Sequence, residues 1–169
     1  MGKDWVVRKR RPVRRKQVAP LLAALEESLG VDLNLDDAFL EIAEYGSWRL
    51  MIVDKEPHTV EIENQAGELV AALTLRGLLA NTPMRGWLEV DRGATPFLMN
   101  GADCMAAGIH AAHEEIVEGD LVWIRDQEHK RPLALGWACL SAEEMVEATS
   151  GKAVKTLHWI GDELWNMEF

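Results

Sequence analysis

The sequence has few cysteines and no long apolar run. Its 169 residues include only Cys104 and Cys139, too few for the disulfide framework of a small secreted fold. No run of about 18 apolar residues occurs, so we expect no membrane span. No apolar segment follows the first basic residues, so the start of the chain does not resemble a secretory signal. These absences favour a cytoplasmic protein that has no membrane partner.

Short motifs of the common enzyme classes are missing as well. His110, His113 and Glu114 follow the pattern H-x-x-H-E rather than H-E-x-x-H, and no further ligand cluster stands nearby in the sequence. No phosphate-binding loop, dinucleotide fingerprint or G-x-S-x-G motif occurs. No neighbouring residue in the sequence activates Cys104 as a nucleophile. We therefore predict a protein that is not an enzyme and that needs neither a metal nor a cofactor.

Charge is distributed very unevenly along the chain. The net charge is −10, and 48% of the residues are apolar, enough for a sizeable core. Residues 1–16 nevertheless carry eight cations and one acid, which leaves −17 for residues 17–169. Such a segment is either a solvated basic arm or a surface that contacts phosphates. Its cations are Lys3, Arg8, Lys9, Arg10, Arg11, Arg14, Arg15 and Lys16.

Two helices are predicted after this basic arm. The first has an apolar stripe from Val18 to Leu29, with Pro20 in its first turn and Gly30 at its end. The second is indicated by a possible cap at Asn34, two acids after it and an apolar stripe, and it is expected to end at Gly46. The stripe of this second helix comprises Leu35, Phe39 and Ile42.

The apolar period then changes to that of strands. Residues 48–53 form a short apolar run, and residues 58–75 alternate around a turn, which predicts a hairpin. Residues 73–79 fit either a short helix or an extension of the strand. The breaker residues at 81–83 mark the predicted domain boundary.

The second half has the pattern of a small mixed barrel. A strand is predicted at 87–91, followed by a helical stretch at 94–100. Further strands are predicted at 121–126, 132–140 and 154–160. Residues 141–144 match a helix capping box, S-x-x-E.

Residues 90–108 read VDRGATPFLMNGADCMAAG and resemble the signature of the PUA domain. The resemblance continues at 118–122, Gly136, 141–145 and 151–153, and it covers about half of the chain. Ala107 stands where the family usually has proline, which loosens one turn and leaves the glycines in place. The layout of the whole chain is similar to the translation-machinery-associated PUA proteins of archaea and eukaryotes, including malignant T-cell-amplified protein and ligatin.

This resemblance implies an α+β fold in three parts. Residues 1–16 are the basic arm, and residues 17–84 form a helical-then-β pre-PUA domain. Residues 85–169 form the PUA domain, a mixed β pseudo-barrel with two short helices. The resemblance also implies a ribosome-associated protein that binds structured RNA.

The leading expected ligand is the tRNA acceptor end, or rRNA, at the small ribosomal subunit during initiation, re-initiation or recycling. An initiation-factor-like partner of the density-regulated type is a further expectation. Two alternatives remain open from the sequence. The chain is either a protein–protein adaptor for such a partner or a detached RNA-binding subunit of an RNA-modifying complex.

The candidate site combines small residues with a few side chains suited to RNA. Gly93 and Gly101 lack a Cβ atom, so a ribose-phosphate backbone could approach the main chain closely. The helix that opens at Gly93-Ala94 has N–H groups that favour phosphate. By resemblance, the binding residues are Gly93, Ala94, Phe97, Asn100, Gly101, Ala102, Lys155 and His158.

Each of these residues also has a purely structural interpretation. Turn geometry alone would explain both glycines, and Phe97 and Met105 fit a core position. Asn100 would serve as a helix-ending residue. His158, or its neighbour Trp159, offers RNA a stacking face only if it is exposed.

Overall fold

The computed structural model describes residues 5–169, so Lys3 of the predicted basic arm lies outside the described residues. The chain divides into two compact units, residues 82–166 and the residues up to 81 together with 167–169. The predicted α+β class is confirmed, with a helix and a sheet in the first unit and a curled half-barrel in the second. Within residues 5–169, no helix combines the length and the apolar character needed to cross a bilayer.

The first unit is a five-stranded antiparallel sheet whose strands follow one another in chain order. A long helix connects the first two strands, and a short helix follows the last one. The elements are β1 (Val7–Pro12), α1 (Arg15–Leu29), β2 (Leu40–Tyr45), β3 (Trp48–Val53), β4 (Glu56–Glu63), β5 (Leu69–Leu73) and α2 (Leu75–Ala80).

Residues 7–12 of the predicted basic arm form strand β1, and Arg15 and Lys16 begin helix α1. Strand β1 pairs with β2 at the edge of the sheet, with Val7 opposite Tyr45 and Arg11 opposite Ile42. The register shifts between Arg8 and Arg11, and Lys9 in this bulge has a φ of 53°. Residues 7–12 are therefore a strand at the edge of the sheet whose side chains are mostly exposed.

Helix α1 confirms the apolar stripe, since Val18, Leu22, Leu25 and Leu29 are buried. Gly30 ends the helix with a φ of 64°, and its N–H donates to the carbonyl of Glu26. The helix begins earlier than expected, at Arg15. Pro20 consequently lies in its second turn rather than its first.

The predicted second helix, which was expected to begin at Asn34 and end at Gly46, is wrong. The chain makes a turn at Asp36-Asp37, and Leu40–Tyr45 is strand β2. Six cross-strand pairs with β3 hold it, and the connecting turn contains Gly46 with a φ of 59°. Phe39, expected in the core, is exposed and lies against Lys55, whose Nζ is 4.8 Å from the ring centroid.

The predicted hairpin over 58–75 is confirmed by the pairing of β4 with β5. Residues 73–79, which fitted either a strand or a helix, divide at Thr74. The Thr74 hydroxyl accepts from the N–H of Gly77 at 3.2 Å, and helix α2 begins at the next residue.

The second unit contains a six-stranded sheet in the order β7-β11-β10-β9-β6-β8, and only the β6–β9 pair is parallel. Its core includes Leu88, Ile124, Ala134 and Met145. The elements are β6 (Trp87–Val90), α3 (Thr95–Leu98), β7 (Cys104–Met105), a 3₁₀ turn (Ala106–Gly108), β8 (Ile109–Ala112), β9 (Leu121–Asp126), β10 (Pro132–Ala138), α4 (Ala142–Glu147), β11 (Lys152–Trp159) and α5 (Glu163–Asn166).

This unit has three helices, one more than expected. The capping box is confirmed, since the Ser141 hydroxyl accepts from the N–H of Glu144 and the Glu144 carboxylate accepts from the N–H of Ser141. Where two helices were expected, α5 is a third. It begins after Asp162, whose carboxylate accepts from the N–H of Trp165 at 2.8 Å.

Candidate nucleic-acid interface

The loop before helix α3 is held by its own hydrogen bonds. The Asp91 N–H donates to the carbonyl of Gly108, and the Ala94 N–H donates to the Asp91 carboxylate at 3.2 Å. The Thr95 N–H donates to the carbonyl of Arg92. Of the N–H groups predicted to be open at Gly93 and Ala94, that of Ala94 is therefore already occupied, and a phosphate there would have to displace the Asp91 carboxylate.

Gly93 is an exposed residue that the fold does not require to be glycine. It does not adopt a positive φ, and an added Cβ would meet only the Asp91 Oδ1 atom, at 3.4 Å. The interpretation of Gly93 as a residue required by turn geometry is wrong. What glycine provides here is an open approach to the backbone.

Gly101 differs from Gly93 because the fold does require it. Its φ is 84°, and an added Cβ would lie 2.6 Å from Cζ2 of Trp159. The indole of Trp159 packs on this glycine and on the core of the unit, and it offers RNA at most part of one face.

Two large apolar side chains expected in the core are exposed. Phe97 is 67% exposed and Met105 is 50% exposed, whereas Leu98 is buried. Helix α3 has only four residues, so Leu98 alone is turned inward and Phe97 points to solvent. An exposed phenylalanine offers a ring face on which an unstacked base can stack.

A groove of about 340 Å³ lies between helix α3 and the strand β7 region. The chain turns twice here, which places Gly93 and Phe97 beside Met105. Small residues keep the groove shallow, since a Cβ at Gly108 would be only 3.1 Å from that of Ala94. Its lining comprises Asp91, Gly93, Ala94, Phe97, Leu98, Asp103, Cys104, Met105, Ala107 and Gly108.

Strand β11 supports the far end of this loop. The Thr156 hydroxyl donates to the carbonyl of Ala102 at 2.9 Å, and the Thr156 N–H donates to Asp103 Oδ1 at 2.9 Å. Lys152 Nζ lies 2.9 Å from the other oxygen of Asp103. Burial alone would raise the pKa of Asp103, but bonds from Lys152 and Thr156 outweigh burial and lower the pKa below its ordinary value. Sequence reasoning missed this acid, although it lies within the PUA-like segment.

Three of the remaining predicted residues are exposed around this loop. Asn100 and Ala102 follow helix α3 on the surface, and Lys155 is exposed on strand β11. The Ala102 N–H donates to the carbonyl of Phe97, which holds the loop against the helix.

His158 does not belong to this surface. It is 1% exposed, and its Nδ1 lies 2.7 Å from the Asp162 carboxylate. A ring buried in this way presents no face for stacking. The expectation that His158 contacts RNA is therefore wrong, because its position in β11 faces the interior.

A second, larger groove lies on the other side of helix α3 and was not expected from the sequence. It encloses about 760 Å³ and includes Thr95, Met99 and Arg131. Arg92 also lines it and pairs with Glu128 at 2.6 Å. The sequence pointed to this groove only through Arg92, a cation between Asp91 and Gly93.

The environment of Cys104 disfavours its thiolate form. Cys104 is buried, and burial raises the pKa of its thiol to about 12, with the nearby charges of Asp103 and Asp91 acting in the same direction. Within residues 5–169, no group of three His, Cys, Asp or Glu side chains is arranged to hold a metal ion.

The comparisons with known proteins agree with this geometry. Residues 86–160 match the PUA domain family. The chain is 37% identical over 167 residues to an uncharacterised protein of Methanocaldococcus jannaschii, covering 96% of this chain and 98% of that one. It is 31% identical over 85 residues to translation machinery-associated protein 20 of Saccharomyces cerevisiae, covering 47% of each chain.

A solved structure agrees over most of the length. The conserved PUA domain protein of Thermoplasma acidophilum superposes with a TM-score of 0.75 at 26% identity, covering 92% of this chain and 97% of that one. The chain spans about half the length of the yeast protein that it matches. The protein therefore contains a PUA domain, belongs to one family with the Methanocaldococcus protein and is homologous to the translation-machinery-associated proteins.

Proposed function

We propose that the groove beside helix α3 binds the unstacked, single-stranded end of a structured RNA. The observation that carries this proposal is the exposed ring of Phe97 next to the open backbone at Gly93. A base stacks on Phe97 while the ribose-phosphate chain passes Gly93 and Ala94. Stacking of this kind tolerates any base and requires an accessible aromatic face.

The polar contacts of this RNA come from the loop after the helix. Asn100 reads a base edge or a ribose hydroxyl, and Lys155 neutralises a phosphate, since both are exposed. Ala102 leaves space for the chain. Gly101 does not contact the RNA in this proposal. Its role is to let the loop pack against the indole of Trp159.

The proposed RNA is the acceptor end of tRNA, with rRNA as the alternative, bound at the small ribosomal subunit during initiation, re-initiation or recycling. Homology to yeast translation machinery-associated protein 20 supports this setting. We place the protein in the cytoplasm with the ribosome, and a density-regulated-type protein is its proposed partner.

Substitution of Phe97 tests the site directly. Loss of one stacked base weakens binding by about 1–3 kcal/mol, which is roughly 5- to 150-fold in Kd. Fluorescence anisotropy with a tRNA that ends in CCA should show this loss for Phe97→Ala. Val146→Ala is the matched control, because Val146 is exposed in the same unit but does not line the groove. Equal affinity of both variants for this tRNA would contradict the proposal.

A second variant closes the groove without removing the aromatic ring. Ala94→Glu places a longer, negative side chain beside Gly108. The two residues are close, since a Cβ added at Gly108 would lie only 3.1 Å from the Cβ of residue 94. We expect affinity for tRNA to fall at least tenfold while circular dichroism stays that of the folded protein, since like charges repel phosphate strongly. Co-sedimentation with small ribosomal subunits at low salt should fall in parallel.

A further inference from the structure

The seven cations of residues 8–16 divide into two groups according to their partners. Lys9 pairs with Glu44 at 3.3 Å, and Arg15 pairs with Asp36 at 3.1 Å. Arg10 makes two hydrogen bonds to the buried Glu41 carboxylate, at 2.8 and 2.9 Å. These three cations have a structural role, since each neutralises a carboxylate of its own unit.

The other four cations are Arg8, Arg11, Arg14 and Lys16. All four are exposed, and within residues 5–169 none has an ion pair or a side-chain hydrogen bond to another residue. No acid occurs between residues 5 and 25 of the sequence, and Glu44, which stands opposite Arg8 on β2, already pairs with Lys9.

The backbone places two of these four cations on one face of the sheet. Arg8 stands opposite Glu44 and Arg11 stands opposite Ile42, and these two β2 residues are two positions apart. Arg8 and Arg11 therefore project to the same face of the sheet. Arg14 and Lys16 follow at the start of helix α1, where the Gln17 side chain accepts from the N–H of Arg14 at 2.9 Å.

Neither the helix nor the sheet needs these charges. The first turn of α1 has no acid, and cations there face the positive end of the helix dipole, which disfavours them. An exposed edge strand is protected from pairing by charge of either sign. Four uncompensated cations in one short stretch of an otherwise acidic protein exceed what such protection requires.

We propose that Arg8, Arg11, Arg14 and Lys16 form a second RNA-binding surface that neutralises backbone phosphates of the same folded RNA. This inference rests on the proposed function, since the groove beside Phe97 takes the single-stranded end. The basic surface contacts phosphates without reading sequence. Residues 17–169 carry a net charge of −17, which disfavours RNA binding elsewhere on the protein.

The salt dependence of tRNA binding tests this surface. Each phosphate contact contributes about 0.7 to 0.9 to the slope of log K against log salt. We expect Arg8→Gln/Arg11→Gln, and separately Arg14→Gln/Lys16→Gln, to reduce the slope by about 1.4 to 1.8. Thermal unfolding checks that each variant remains folded.

The matched control is Lys9→Gln/Arg15→Gln, which changes the net charge by the same amount but removes cations that already have carboxylate partners. The slope of the control pair should fall by less than half as much as the slopes of the test pairs. If the slope fell equally in the test and control pairs, overall charge would explain the effect and the proposal would be overturned. An unchanged slope in the test pairs would also overturn it.

The basic surface and the groove beside Phe97 can be tested separately. Absence of tRNA binding by the unaltered protein would contradict both. Binding that is weakened by Phe97→Ala but keeps its slope in Arg8→Gln/Arg11→Gln would contradict the basic surface alone. If those variants instead lost binding to poly-glutamate and kept the RNA slope, the surface would be one for an acidic protein.

Discussion

The indole of Trp159 occupies the space in which a side chain at Gly101 would stand, with Cζ2 2.6 Å from an added Cβ. At Gly93, eight residues earlier, an added Cβ would meet only Oδ1 of Asp91, at 3.4 Å. The two glycines of the PUA-like segment therefore have different roles: one shapes the loop, and the other leaves the backbone accessible.

This difference predicts that substitution by alanine destabilises the protein at Gly101 and has almost no effect on stability at Gly93. Gly101→Ala should destabilise the protein by about 1–3 kcal/mol, because it combines a positive φ with overpacking against Trp159. Gly93→Ala should change the free energy of unfolding by no more than about 0.5 kcal/mol. Urea denaturation of the two variants measures both values, and similar losses in the two would contradict the assignment.

The buried His158 predicts a stability effect without a binding effect. Asp162 accepts from the ring of His158 and from the N–H groups of Trp159 and Trp165. Asp162→Ala should therefore cost about 2 kcal/mol or more, since three hydrogen bonds lose their acceptor. His158→Gln, once folded, should bind tRNA with nearly unaltered affinity. A large loss of affinity in folded His158→Gln would place the ring in the RNA site after all.

Glu89 predicts a stability contribution that depends on pH. It is 4% exposed and lies 2.8 Å from Arg125, with Lys130 also bound to the same oxygen. Burial alone would raise the pKa of Glu89, but Lys130 and Arg125 outweigh burial and lower the pKa below the ordinary 4.5. A lowered pKa stabilises the folded state above pH 4.5, and this contribution is lost as the pH falls through the folded-state pKa.

Glu89→Ala should therefore cost about 3 kcal/mol near neutral pH, where it leaves Arg125 partly buried without its partner. The difference between the variant and the unaltered protein should shrink progressively below pH 4.5. Thermal unfolding across pH 3–7 measures this, and a constant difference would contradict the role of the charge.

The two thiols should react at different rates. Cys104 is buried with a pKa raised to about 12, whereas Cys139 is partly exposed. At pH 8 a thiol reagent should modify Cys139 first and Cys104 only on unfolding. Removal of the fast phase by Cys139→Ser is the check, and rapid modification of Cys104 in that variant would contradict its burial.

Local sequence signals predicted the elements whose causes are local. The apolar stripe and Gly30 of α1, the capping box at Ser141 and the hairpin of β4 and β5 all depend on neighbouring residues. Residues 34–42 carried equally good helix signals, yet the chain there forms β2. Pairing with β3 on one side and β1 on the other outweighs those signals, and such long-range pairing is invisible to a local pattern.

The site was predicted in part for a similar reason. Family resemblance placed the loop and helix α3 correctly in the sequence, but it could not give the direction of each side chain. Whether Phe97 or Leu98 turned inward depended on the pitch of a four-residue helix. The burial of His158 depended on Asp162, which lies beyond the strand. The ion pairs of the basic segment likewise required the positions of Glu41 and Glu44 on a neighbouring strand.

Crosslinking of bound RNA tests the central claim most directly. The protein should be irradiated in complex with a tRNA that carries a photoreactive base at its 3′ end, and the modified peptide identified by mass spectrometry. We predict crosslinks within residues 93–105, with Phe97 or Met105 as the modified residue. Crosslinks that avoid this segment and lie wholly elsewhere in the chain would contradict the groove beside helix α3 as the RNA site.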